Sequence, residues 1–173
     1  HPLWVRNLVS QAKLLSHTSN LFRNEPQALL AKAVVEAVGE EGARMLFCNS
    51  GTEANEALIK LARAHGLRKA NGKEGKIYKV VCAENAFHGR TFGAMAATPQ
   101  EKIQHGFRPM LTGFPVAKYN DVASFEKAVD DKTAAVIIEP IQGESGVTCA
   151  TREFLQGLRK LCDKKDILLL VDE

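Results

Sequence analysis

The chain has 173 residues, enough for one ordinary domain core. Its net charge of +3 is spread along the sequence, and its composition is that of a soluble globular protein. The densest basic patch, Arg68, Lys69, Lys73 and Lys76, is interrupted by Gly72, Glu74 and Gly75. It has no interleaved aromatics, so it reads as a solvated loop and not as a nucleic-acid surface. No apolar run approaches the length of a membrane span. The four cysteines, Cys48, Cys82, Cys149 and Cys162, are far apart, and none forms a pair with zinc-site spacing. No metal is expected. Cys48, Cys82 and Cys162 sit in or beside apolar runs, where a reduced thiol acts as a small core residue. A reducing compartment is expected.

In chain order, Leu29, Leu30, Ala33, Val34, Ala37 and Val38 recur at helical spacing. Pro26 suits the first turn of that helix and Gly39 its stop. A strand is expected at about 44–48. The next helix is predicted to bury Ala54, Ala57, Leu58, Leu61 and Ala62 and to end near Gly66 or soon after. Gly72 and Gly75 mark a loop, and Tyr78 to Ala83 reads as a buried strand. Residues 84–91 are a polar turn, and 91–97 a short helix. A long irregular region runs from Pro99 to Tyr119, and loops of that length are usually functional. A helix is expected over 122–129, a strand over 134–138, a helix capped by Thr151, and a last strand over 167–171.

Strands that are apolar throughout and alternate with helices predict an α/β fold, a mostly parallel sheet with helices on both faces. Residues 1–40 are assigned to a helical segment or neighbouring subdomain, or to a subunit contact, and 41–173 to the sheet domain. His1 is not a Met, and the chain stops on Asp172-Glu173 just after an apolar strand. It is therefore expected to be an internal piece of a longer protein.

Asn49-Ser50-Gly51-Thr52-Glu53-Ala54-Asn55-Glu56 opens a helix after a short apolar run. A small-residue turn there offers free N–H groups at the positive end of the helix dipole, which suits a phosphate. Ser50 and Thr52 add hydroxyl donors. Ser50 with Glu53 equally fits a plain capping box. In parallel sheets ligands gather beyond the carboxyl ends of strands. Polar groups are expected there: Glu84-Asn85-Ala86-Phe87-His88-Gly89-Arg90, Glu139-Pro140-Ile141-Gln142-Gly143-Glu144 and Asp172-Glu173. Acids at strand ends are costly when buried without partners, which favours a site. A phosphate turn, an aromatic face at Phe87 and a carboxylate at Asp172 for a protonated ring nitrogen together describe pyridoxal phosphate.

The ordered set resembles the class III, fold-type I, pyridoxal-phosphate-dependent aminotransferases, and most closely their acetylornithine branch. The set comprises His17-Thr18-Ser19-Asn20-Leu21-Phe22, Glu25-Pro26-Gln27, Asn49–Glu56, Asn85-Ala86-Phe87-His88-Gly89-Arg90-Thr91, Glu139–Glu144 and Val171-Asp172-Glu173. The resemblance implies that Ser50, Gly51 and Thr52 bind the cofactor phosphate and Phe87 stacks on the ring. Asp172 pairs with the ring nitrogen, Glu139 lies near Asp172 and helps orient it, and Glu173 belongs to the same cofactor group. It further implies that Arg90 holds a substrate carboxylate and that Glu144 shapes the substrate site. The Schiff-base lysine is expected beyond Glu173.

The implied reaction is transamination of N-acetylornithine with 2-oxoglutarate, in arginine synthesis, with succinyldiaminopimelate in lysine synthesis as a further substrate. The implied partners are amino-acid and 2-oxo-acid substrates and a second copy of the chain. The expected location is cytoplasmic, or the mitochondrial matrix in a eukaryote. Rival readings are a class III enzyme for ornithine, 4-aminobutyrate or succinylornithine, and a non-catalytic phosphate-binding domain. His88 is expected to serve as a local hydrogen-bonding residue. Phe87 could instead be core, Arg90 a surface ion pair and Glu144 a loop residue.

Overall fold

The computed structural model of the chain describes residues 1–40 and 42–173. Residue 41, where the sequence places the start of the sheet domain, lies outside them. The chain separates into two units, His1–Phe47 and Cys48–Glu173. The first holds α1 (Pro2–Leu14) and α2 (Glu25–Val38), neither with a buried residue. Helix α2 begins where Asn24 Oδ1 accepts from Gln27 N at 3.0 Å, with Pro26 in its first turn. It stops at Gly39, whose φ of 72° is left-handed and costs glycine nothing.

The strand expected at 44–48 does not form; the backbone there is irregular. A strand needs a neighbour for its N–H and C=O groups. In this segment the Phe47 carbonyl instead accepts from the Asn20 side chain at 2.9 Å.

The second unit runs α3 (Gly51–Lys69), β1 (Lys79–Ala83), α4 (Phe92–Ala96), α5 (Glu101–Gln104), β2 (Val116–Ala117), α6 (Val122–Ala128), β3 (Thr133–Ile138), β4 (Ile141–Gln142), β5 (Thr148–Cys149), α7 (Arg152–Lys165) and β6 (Leu168–Val171). Strands β2-β1-β3-β6 form a parallel sheet in that order, as the apolar runs predict. Alternate residues feed two cores. Val81, Ala83, Val136 and Ile138 pack with Phe125, Phe154 and Leu158 on one face. Val80, Cys82, Ala135 and Ile137 pack with Ile59 and Ala62 on the other. The region 99–119, read as irregular, contains α5 and β2. A small antiparallel pair, β4 with β5, had no signal in the sequence.

Two expectations about burial are corrected. Helix α3 buries Asn55, Ile59, Ala62 and Gly66, while Ala54 and Leu61 are exposed. The helix is rotated so that Gly66 lies against Ile77, where a β-carbon would come within 2.9 Å of the carbonyl carbon. Its polar Asn55 points inward because it has partners there, described below. Cys48, expected in a core, is exposed, because the strand that would have buried it is absent. Cys82 and Cys162 are buried, and burial pushes their thiols up to about 12 and about 11.

Candidate active site

A parallel sheet delivers all its strand ends to one edge. The register pairs Ile138 with Val171, so the next residues, Glu139 and Asp172, emerge side by side. The Asp172 N–H continues the ladder, donating to Ile138 O at 2.9 Å. Strand β1 releases the turn 84–91 at the same edge.

Asp172 is the centre of the site. Its Oδ2 accepts from Asn55 Nδ2 at 2.8 Å and faces His88 Nδ1 at 2.8 Å. The His88 side chain is wholly buried and that of Asp172 a quarter exposed. Burial pushes the Asp172 carboxyl up, but the His88 and Asn55 hydrogen bonds outweigh it, leaving it below the usual carboxylate range. His88 Nε2 is buried without a hydrogen-bond partner among the described residues. The tautomer with its proton on Nδ1 donates to Asp172 and leaves only a lone pair at Nε2, the cheaper orphan.

The turn around His88 is held by buried polar side chains. His88 N donates to Thr98 Oγ1 at 2.9 Å, and His88 O accepts from Asn55 Nδ2 at 2.9 Å. Gln100 Nε2 donates to Asn85 O and Ala86 O. Glu139, which the sequence places beside Asp172, has its side chain on a different partner: Oε2 accepts from Phe87 N at 3.2 Å. The hydrogen bonds that orient Asp172 come from Asn55 and His88.

At the start of α3, Ser50 Oγ accepts from Glu53 N at 3.3 Å, and Glu53 Oε2 accepts from Asn49 N at 2.7 Å. The capping-box reading is therefore realised, with the reciprocal bond one residue early. The cap does not exclude an anion, since the first N–H groups of any helix have no intrahelical acceptor. Gly89 brings the two turns together. At φ 132° it lies so near Thr52 that a β-carbon would be 2.5 Å from Thr52 Cβ. Thr52 Oγ1 and Thr91 Oγ1 are 3.2 Å apart. Behind them, Glu56 Oε1 accepts from Thr91 Oγ1, Gly93 N and Ala94 N at 2.5, 3.0 and 3.1 Å, fixing the start of α4.

Phe87 is half-buried, and the exposed Arg90 guanidinium carbon stands 5.8 Å from its ring centre. Glu144 is exposed in a single 3-10 turn, Gly143–Ser145. Glu173 is exposed. The structure thus gathers Thr52, Phe87, Arg90, Glu139 and Asp172 at one edge through shared neighbours. Sequence reasoning missed Asn55, Glu56, Thr98 and Gln100. For Asn55 a signal existed: a polar residue on the apolar side of α3, one turn before Ile59.

The Aminotransferase class-III family model matches residues 1–173. The chain belongs to the class III aminotransferases. An acetylornithine aminotransferase of Caldanaerobacter subterraneus subsp. tengcongensis is 46% identical over 173 residues, 100% of this chain and 43% of that protein. A succinylornithine transaminase of Yersinia pseudotuberculosis is 46% identical over 176 residues, 100% of this chain and 42% of its own length. The solved ornithine aminotransferase of Toxoplasma gondii, described with partial occupancy of PLP at its active site, is 32% identical. It superposes with a TM-score of 0.89 over 99% of this chain and 40% of that one. This class III chain therefore spans less than half the length of these relatives. No helix among the described residues is long and apolar enough to cross a membrane.

Proposed function

We propose that this chain holds the cofactor of a pyridoxal-phosphate-dependent aminotransferase that moves the amino group of N-acetylornithine to 2-oxoglutarate. The reading is carried by Asp172. Its Oδ2 takes both protein hydrogen bonds, and no donor among the described residues reaches Oδ1. A carboxylate kept ionised with one open oxygen is the acceptor that a protonated ring nitrogen requires.

The other residues fit the group. The N–H groups of Gly51 and Thr52, with the hydroxyls of Ser50 and Thr52, suit a phosphate. The bare Cα of Gly89 lets the aromatic turn close on that site. Phe87 offers a ring face. Bound here, pyridoxal phosphate supplies an electron sink for negative charge at the substrate's alpha carbon. The chain's own residues do the rest. Asp172 keeps a proton on the ring nitrogen, and Glu139 fixes the Phe87 backbone. Glu173 follows at the same edge and stays in the cofactor group. Arg90, exposed beside Phe87, grips a substrate carboxylate, and Glu144 borders the substrate's approach.

The names of the relatives support an N-acylated ornithine as donor. A succinyl donor is the second reading, because the Yersinia succinylornithine transaminase matches as well as the acetylornithine enzyme. A second copy of the chain is the proposed partner, and exposed Leu3, Trp4 and Leu8 on α1 support such a contact. A cytoplasmic role in arginine synthesis accords with this chemistry.

The test is to purify the full-length protein, record its visible absorbance and assay glutamate formation from 2-oxoglutarate with each donor. The expected result is a bound chromophore and the highest kcat/KM with N-acetylornithine. A protein that binds phosphate but shows neither chromophore nor amino transfer would sink the reading.

A further inference from the structure

We propose that Asn55 is a positioning residue for Asp172, holding the carboxylate so that Oδ1, and not Oδ2, faces the ring nitrogen. The proposal rests on the pyridoxal-phosphate reading above. Asn55 sits one turn into α3 and is 2% exposed. Burying a carboxamide there is costly unless its polar atoms are used. Both donor hydrogens of Nδ2 are used: it donates to Asp172 Oδ2 at 2.8 Å and to His88 O at 2.9 Å. One side chain thus ties together the helix that offers its N-terminus to the phosphate, the turn that carries Phe87, and the acid at the end of β6.

The imidazole of His88 alone leaves the carboxylate free to pivot about its single hydrogen bond. A second donor on the same oxygen from a different element removes that freedom. It also loads the negative charge asymmetrically, with Oδ2 solvated by the protein and Oδ1 reserved. The other ionisable groups facing Asp172 are His88 and Glu139, the latter a carboxylate that already accepts from Phe87 N. Neither can replace an amide donor on Oδ2.

The test uses the full-length holoenzyme loaded with pyridoxal phosphate carrying nitrogen-15 in its ring. The variants are Asn55→Leu, close in shape but without donors, and Asn55→Ala. The ring-nitrogen resonance reports its protonation between about pH 6 and 9, the range around neutrality in which the acid must work. In the unaltered protein the nitrogen should stay protonated throughout. In the variants, whose carboxylate is free to pivot away from the ring, the nitrogen should lose its proton within that range, a shift of at least about one pH unit. Turnover should fall about tenfold, with the KM for the amino donor nearly unchanged. Unchanged ring protonation in a folded, loaded variant overturns the proposal. So does loss of folding in both variants, which would make Asn55 a packing residue. Failure of the underlying cofactor reading appears separately, as no cofactor bound by the unaltered protein.

Discussion

Gly89 and Thr52 touch so closely that no side chain fits between them. A β-carbon on Gly89 would stand 2.5 Å from Thr52 Cβ, and the backbone φ of 132° disfavours any L side chain there. The aromatic turn and the start of α3 therefore share one surface. Gly89→Ala should separate them, at a stability cost of about 1–3 kcal/mol from backbone strain and overlap. The proposed cofactor should bind more weakly by more than the loss of stability explains. Thermal melting with and without cofactor checks this. An alanine variant with unaltered cofactor affinity would show that the contact is incidental.

Asp172→Asn keeps the shape of the acid but removes its charge. The fold should survive, because Asn55 and His88 can still bond the amide oxygen. Amino transfer in the full-length protein should fall by about 100- to 1,000-fold, the usual loss when a preorganised electrostatic group is deleted. Near-normal turnover would refute the role.

Arg90 is exposed and carries no salt bridge among the described residues, so it is free to meet a substrate. A guanidinium grips a carboxylate with two parallel bonds that an ammonium cannot copy. Arg90→Lys should raise substrate KM values and leave the cofactor spectrum intact. Steady-state kinetics decides; a lost cofactor with normal KM values would assign Arg90 elsewhere.

Glu139 gives a pH dependence of known sign. Burial pushes its carboxyl above the ordinary range, outweighing the His88 ring and the Phe87 N–H that pull it down; Asp172 and Glu144 add to the rise. A raised carboxyl contributes stability below its unfolded value, about 4.3, and loses it as pH climbs through the folded value. Glu139→Gln cannot ionise, and its amide oxygen can still accept from Phe87 N. The melting temperature of the variant relative to the parent should therefore rise with pH from about 4 upward. Asp172, whose carboxyl lies below the ordinary range, contributes the opposite trend equally to both proteins, so it cancels in the difference. A difference that shrinks with pH would contradict this account.

The sheet was legible because Val80–Ala83, Ala134–Ile138 and Leu168–Val171 are short runs apolar throughout that alternate with helical segments, the pattern of a parallel sheet covered on both faces. Gly39 and Thr151 marked helix ends through local chemistry alone. Arg44–Cys48 misled because apolar character cannot say whether a partner strand is present. The α3 stripe misled for a related reason: alanines carry little weight in choosing a face, whereas Asn55 is fixed by bonds to residues far along the chain. At the site, Phe87, Glu139 and Asp172 were visible from their places at strand ends. The side chains that hold them, Thr98 and Gln100 among them, look in sequence like ordinary loop polars.

The Asn55–Asp172 bond spans 117 positions of sequence, and the His88–Asp172 contact spans 84. Such contacts form only after long loops have closed, which is slow compared with helix growth. Helices such as α7 can coil early, but the surroundings of the acid do not exist until α3, the β1 turn and β6 have all arrived. Capture of the proposed cofactor is thus a clock for the last stage of folding. In a refolding experiment its signal should lag behind the recovery of helix content.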